Sequence, residues 1–297
     1  MEVGFPFQGQ IYYNAETSYK SGMTGTQYVF SDAVRDVRIE TGDINQTLAT
    51  ISQASIADIS KTMEDPMLHV EWVLQPNGNI PSAVSACWNR IAGDLDSLAI
   101  EVETCRDRST PSYYHMIGCK CKNFTVSGTK GENYIISADF SVASMWVNNN
   151  QLGSTPSALG TEYAAFNRAG AITWAGVTGA YVTESFEFTV DNNVTDYYDI
   201  GSTSKKACIP GAITITGSCD ISVNDGGGNH FTEVLAGTDI TSVILNTGVT
   251  TAGSGNGKFT LSNGRFDSTN LDLSLSGEGL ISSVPFTFRY LAIAIGT

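Results

Sequence analysis

Alternation of apolar and polar residues dominates the chain and predicts strands. In residues 36–43 (DVRIETGD), Val37 and Ile39 share one face, as Leu68, Val70 and Trp72 do in 68–75 (LHVEWVLQ). Residues 97–104 (SLAIEVET), 134–142 (YIISADFSV), 185–191 (SFEFTVD) and 212–223 (AITITGSCDISV) read the same way. So do 257–264 (GKFTLSNG), 270–277 (NLDLSLSG) and 284–295 (VPFTFRYLAIAI). Gly, Asn, Asp and Ser clusters separate these runs, as turn chemistry requires. Helical signal is thin. Residues 82–93 (SAVSACWNRIAG) follow Pro81 and end at Gly93; residues 229–239 (NHFTEVLAGTD) predict a short helix ending at Gly237. Residues 44–65 fit either a helix or a long projecting loop. Their small apolar residues (TLATISQASIADIS) and their place between two strands favour an arm that covers its apolar stripe on a neighbouring subunit.

The pattern occurs twice. Residues 118–142 (GCKCKNFTVSGTKGENYIISADFSV) align with 264–288 (GRFDSTNLDLSLSGEGLISSVPFTF), Gly118 on Gly264 and Phe140 on Phe286, an offset of 146 residues at both ends. One residue of slippage separates Phe124 and Val126 from Leu271 and Leu273. Upstream, SLAIEVE at 97 matches SVILNTG at 242, the helix at 82–93 matches 229–237, and LHVEW matches AITIT. DVRIETGDINQTLATIS at 36 matches SFEFTVDNNVTDYYDIG at 185, so the arm has a counterpart at 191–211. The order strand, arm, strand, helix, strand, hairpin therefore predicts an internal duplication. The expected organisation is an N-terminal arm (1–30), a first domain (31–150), a linker or insertion (151–180) and a second domain (181–297).

Composition narrows the class. Only 15% of the 297 residues are charged, below the usual quarter, and Gly (30) is abundant, which suits turn-rich β structure. Acidic residues outnumber basic ones 30 to 16, a net charge of −14. The densest basic spots are Lys120/Lys122 and Lys205/Lys206. A protein that grips nucleic acid needs a basic stripe to displace counterions, so that role is excluded. An acidic wall past which DNA slides is compatible. The start, MEVGFPFQGQ, has neither a basic leader nor an apolar run, and no run of about 18 apolar residues occurs. Assembly in a reducing cytoplasm is the expectation, with free thiols as the default for the six cysteines.

Candidate chemistry is sparse. Cys119 and Cys121 lack the second pair of a structural zinc site. A metal site with His115 or Cys105, incidental strand cysteines, or a disulfide all remain open for them. Where the first copy has Cys119 and Cys121, the second has Arg265 and Asp267, so the duplicated feature is the hairpin rather than a thiol site. His69, His115 and His230 are scattered. The glycines of 226–230 (GGGNH) lack the lysine of a phosphate loop and read as a turn. Glu101 and Glu103 share a strand face with no partner legible in the sequence. Nothing here predicts an enzyme, and no cofactor is expected. A carbohydrate-active β-sandwich would need paired carboxylates in a cleft.

Taken together, DVRIETGD, the long arm, LHVEWVLQ, DLDSLAIEVE and the 118–140 hairpin resemble the tail tube proteins of long-tailed bacteriophages and archaeal tailed viruses. The resemblance covers about residues 30–150 and 180–291, and the cysteines of the first hairpin depart from it. It implies a mainly β fold: two tandem β-sandwich domains, each with a short flanking helix and a long projecting loop. It implies a structural virion protein whose stacked rings form a tube that conducts DNA, with three duplicated chains making a pseudo-sixfold ring. Expected partners are copies of the chain itself and tail terminator, tape measure and baseplate or tip proteins; DNA only passes through, and no membrane is involved. Lumen or rim candidates are Glu132, Asp139, Asp272 and Glu278. Inter-ring arm candidates are Ile44, Leu48, Ile51, Ile56 and Ile59. Alternatives of other kinds are a tube subunit of a phage-tail-like injection particle, and a β-sandwich adhesin or pilus-like subunit.

Overall fold

Where they are described, the alternating runs form antiparallel strands; residues 272–277 of the run 270–277 lie outside the described residues. The computed structural model describes residues 9–23, 27–49, 56–75, 82–88, 90–91, 93–104, 111–153, 172–177, 182–222, 229–246, 258–267, 270–271 and 281–294. The chain opens with β1 (Gln10–Ala15), β2 (Tyr28–Val29), β3 (Val34–Glu40), β4 (Asp43–Ala49), β5 (Ile56–Glu64) and β6 (Met67–Val73). Helix α1 (Ser82–Ala86) leads to β7 (Arg90–Ile91), β8 (Asp94–Leu95), β9 (Leu98–Thr104), β10 (Ser112–Thr129), β11 (Ile135–Ser141) and β12 (Ser144–Asn148). Then come β13 (Ile172–Ala175), β14 (Val182–Asp191), β15 (Thr195–Tyr198), β16 (Lys205–Ile209) and β17 (Thr214–Ser222). Helix α2 (Asn229–Ala236), β18 (Asp239–Asn246), β19 (Lys258–Phe266), β20 (Asn270–Leu271) and β21 (Ile281–Ala294) complete it.

One run of pairing, β3-β6-β11-β10-β14-β17-β21-β19-β18-β13, passes through the molecule. Strands β9, β1 and β2 branch from β10, which also carries β12. The same series of neighbours occurs twice. The pairs β3·β6, β6·β11, β11·β10, β10·β9 and β9·β1 reappear as β14·β17, β17·β21, β21·β19, β19·β18 and β18·β13. Strands β11 and β12 together span 135–148, and β21 spans 281–294, so the 146-residue offset holds at both ends.

Strand β10 belongs to two layers. Residues 112–119 pair with β9 and β12, and 120–129 pair with β11 and β14. The break falls at Gly118, whose φ of 63° lies in the left-handed region that favours glycine and which sits in an irregularity between Met116 and Cys119. A Cβ there would lie 2.6 Å from that of Ala143. In the second half the corresponding positive φ, 55°, belongs to Asn263 rather than Gly264. Pairing agrees: Lys120 faces Ser141 as Arg265 faces Thr287. The offset along this strand is therefore 145, which corrects the alignment of Gly118 on Gly264 by one residue and sets Lys120, not Cys119, against Arg265.

Two further expectations change. The predicted helix at 82–93 stops at Ala86; Trp88 N closes its last turn on Ser85 O, and the chain reverses at Gly93 (φ 89°) in the β7·β8 hairpin. Past the helix, the Arg90 guanidinium donates to Gly211 O at 2.6 Å across the molecule. The described parts of 44–65 are not helical. They contribute to the antiparallel hairpin β4·β5, registered from Asp43↔Glu64 to Ala49↔Ile56, in line with the strand preference of their Ile and Thr residues. The short helix ending at Gly237 is as expected, with Gly237 at φ 63°.

The core is one continuous cluster. Trp72, Tyr134, Phe30, Phe124, Phe140, Phe186, Phe188, Phe259 and Phe286 are its largest fully buried members. Gly217 lets it close: a Cβ there would sit 2.6 Å from the Phe286 ring.

Candidate assembly surface

Seven strands, β21-β17-β14-β10-β11-β6-β3, lie side by side with one face on the core. Register defines that face: Phe288, Ile215, Val190, Phe124, Ala138, Val70 and Val37 run across it as neighbours. Because side chains alternate, the intervening row must face the other way. That row is Thr287, Thr216, Thr189, Thr125, Ser137, Glu71 and Asp36. A second such row is Thr214, Asp191, Asn123, Asp139, His69 and Arg38. The open face is thus hydroxyl-rich and acidic, with Glu40, Glu187 and Asp220 also on it. Arg35, Arg38 and Arg289 are its cations on the flanking strands β3 and β21. His69 Nδ1 lies 2.6 Å from Asp139 Oδ1, Arg38 Nε 3.0 Å from Asp36 Oδ2, and Arg35 3.7 Å from Glu71.

The seam between the halves is β10·β14, where Asn123 to Thr129 pair with Asp191 to Ser185. Thr125 and Thr189 share a hydroxyl hydrogen bond of 2.8 Å on the open side, and Phe124 meets Phe188 edge-on at 6.2 Å on the core side. At one end Lys130 pairs with Glu184 at 2.9 Å. At the other, buried Asn192 donates to the carbonyls of Cys87 and Cys121. Among the described residues, β3 has a strand partner on one edge only, β6, and β20 likewise has only β21. Both edges present backbone groups able to pair with another chain.

The β15·β16 hairpin of the second half folds over one end of this sheet in the first half. Lys205, fully buried, places Nζ 2.5 Å from Asp65, 3.1 Å from Asp196 and 2.7 Å from Ser141 Oγ. Tyr19 Oη meets Cys208 Sγ at 3.0 Å, and Tyr198 donates to Glu64 O at 3.2 Å. Beside it Lys120 is paired with Asp94 at 2.5 Å beneath the Tyr19 ring.

The predicted site residues fall as follows. Asp139 is on the open face, and Glu132 is exposed in the turn between β10 and β11. Asp272 and Glu278 lie outside the described residues. Ile44 and Leu48 are on β4, and Ile56 and Ile59 on β5; Ile51 lies outside the described residues. Sequence reasoning missed Asp36, His69, Asp191 and Glu187 as members of the same surface. Their signal was available: His69 and Glu71 alternate with Val70 and Trp72.

The other candidates close into the interior. Cys87, Cys119, Cys121, Cys208 and Cys219 are free and buried, and burial pushes the thiols of Cys119 and Cys121 well above the ordinary cysteine range. Such thiols are neutral and poor nucleophiles or ligands. Cys105 lies outside the described residues. Among the described residues no cluster of three or more His, Cys, Asp or Glu forms a candidate metal site. Glu101 has the partner its sequence did not reveal: His115 Nδ1 lies 3.0 Å from Oε2, and Leu152 N donates to the same oxygen at 3.0 Å. Burial raises the Glu101 carboxyl and lowers the His115 imidazole. Both are enclosed, so the pair is an internal polar contact. Among the described residues no helix is long and apolar enough to cross a membrane.

With the geometry in place, a comparison with protein families finds a match over residues 6–289, nearly the whole chain, to the family described as phage tail tube protein. A comparison with curated proteins finds no match.

Proposed function

The chain belongs to the phage tail tube protein family, and from that membership we propose that three copies close a ring with pseudo-sixfold symmetry and that stacked rings conduct DNA from capsid to host. The family is a structural one and places the chain in the virion tail. The β10·β14 seam carries the finer reading. It joins two sets of strands that pair in the same order, which supports two tandem domains. It also supplies a template for the joint between chains: β3 of one copy would pair beside β20 of the next as β14 pairs beside β10. Cyclic closure gives every such edge a partner, and a barrel of that many strands leaves an aqueous lumen. The open face, with Asp139, Asp191 and Glu187, lines that lumen in this reading. Duplex DNA carries about one negative charge per 1.7 Å, so like charge keeps it from adhering. Assembly takes place in the host cytoplasm, and the tube ends meet terminator, tape measure and baseplate or tip proteins.

Electron microscopy of the purified protein is expected to show hollow tubes of constant width with three chains per ring. Monodisperse monomers under all assembly conditions would overturn the proposal. The lining has its own test. Assembled wild-type tubes are expected to retain no duplex oligonucleotide on a filter at about 0.15 M salt. Tubes of the triple variant Asp139→Lys, Glu187→Lys, Asp191→Lys are expected to retain it, with log affinity falling against log salt by about 0.9 per phosphate contacted. Triple-variant tubes that still ignore DNA would place these residues away from its path.

A further inference from the structure

We infer that the cleft around Asp239, Arg265, Asp267, Thr287 and Arg289 is the seat of the β4·β5 hairpin of a second copy of this chain. The inference rests on the tube reading and adds a contact to it. The chain shows the equivalent seat already filled. In the first half, Lys120 faces Ser141 and pairs with Asp94; in the second half, Arg265 faces Thr287 and pairs with Asp239. These are the same strand positions in the repeated pairing, and both cations carry a carboxylate partner.

The difference is what lies over them. Residues 207–209 of the β15·β16 hairpin, the following Pro210 and Tyr19 line the space above Lys120, whose side chain is 5% exposed. The neighbouring Ser141 hydroxyl donates to Asp196 of that hairpin at 2.7 Å. Arg265 is 63% exposed, and around it opens a cleft of about 660 Å³ lined by both acidic and basic side chains. Thr287 donates instead to Asp267 at 2.8 Å.

The occupant follows from the connectivity. The hairpin that fills the first seat joins β14 to β17, and β4·β5 joins β3 to β6, the corresponding pair. Across the internal seam, a hairpin leaves its own half and settles on the half whose β10 borders it. If β3 of one copy pairs beside β20 of the next, β4·β5 leaves its chain at the same place relative to the β19·β21 end of the neighbour. Its base is already fixed, with Glu64 N donating to Thr203 O at 2.7 Å and Asp65 N to Gly42 O at 3.0 Å. The hairpin is thus tied down at its root, and the seat on its own chain's first half is occupied by β15·β16.

The test replaces exposed Arg265 by the photocrosslinker p-benzoylphenylalanine and assembles an equal mixture of isotopically light and heavy protein. After irradiation, mass spectrometry is expected to find adducts between position 265 and peptides from residues 43–64, including mixed light–heavy pairs. Adducts confined to one isotope, adducts to other segments, or none from assembled tubes would overturn the seat while leaving the tube reading intact. Wild-type protein that never assembles would overturn both. A second variant, Thr287→Trp, fills the cleft from an exposed position. It is expected to keep the wild-type circular dichroism spectrum while tube yield falls at least tenfold; wild-type yield would count against the seat.

Discussion

Replacement of Phe188 by alanine is expected to lower the unfolding free energy by about 3–5 kcal/mol, the usual cost of emptying a buried aromatic site. Phe188 is fully buried on β14, next to the seam. Its ring meets Phe124 of the first half at 6.2 Å, and Phe186 and Phe259 of the second at 6.3 Å and 5.7 Å. Continuous pairing on either side limits how far the sheet can collapse around the void. With domains typically stable by about 5–15 kcal/mol, such a loss moves the denaturant midpoint far down. Phe188→Leu, which leaves a smaller void, is expected to lose much less. The position also tests how the halves are joined. Trp72, Trp88 and Trp146 belong to the first half and Trp174 packs on Phe186 and Phe266 of the second, so with Trp174→Phe as the background, tryptophan fluorescence reports on the first half. Circular dichroism reports strands in both. A shared core predicts that the two signals shift together in Phe188→Ala; separate transitions would mean that the halves unfold independently.

The sequence made the sheets legible because each depends on a local rule. Alternation in LHVEWVLQ assigned Val70 and Trp72 to the core and, by the same rule, His69 and Glu71 to the open face. The 146-residue offset was visible because β11–β12 and β21 keep the same length. It is 145 rather than 146 on β10 because Gly118 and Asn263 take the same left-handed backbone, an equivalence that residue identity does not reveal. Hidden altogether were contacts made between distant segments. His115 lies opposite Glu101 only because β9 and β10 pair in one register. Arg90, on β7 where the helix was expected to continue, reaches Gly211, 121 residues away. The ambiguity of residues 44–65 had a different origin. Their composition suits helix and strand alike, and the strand form is secured by pairing within the hairpin.

Replacement of Lys205 by methionine is expected to cost about 3–5 kcal/mol, because it removes the cation between Asp65 and Asp196 and leaves those carboxylates facing each other. The variant carries a clear pH signature. Burial pushes the Asp196 carboxyl up, but the Ser141 and Cys208 hydrogen bonds and the Lys205 charge outweigh it and hold the group below the ordinary aspartate value. A depressed carboxyl stabilises the fold in full above its unfolded pKa of about 4, and that contribution drains away as the pH falls through the folded value. The wild type should therefore lose stability as it is acidified below about pH 4. Lys205→Met lacks the charge and the hydrogen bond that Lys205 adds to that contribution, so acid should cost it less. The gap in denaturant midpoint between the two proteins is expected to be wide at about pH 7 and to narrow on acidification. A gap that stays constant would mean that the ammonium supports the hairpin by packing alone. The triple variant Lys205→Met, Asp65→Asn, Asp196→Asn, with no charge left to bury, is expected to recover much of the loss. The same chemistry bears on assembly: a lysine clamped by two carboxylates fixes the β15·β16 hairpin within the chain, and a hairpin loosened by Lys205→Met would free the first-half seat for β4·β5 of a neighbour, giving tubes of irregular register instead of uniform rings.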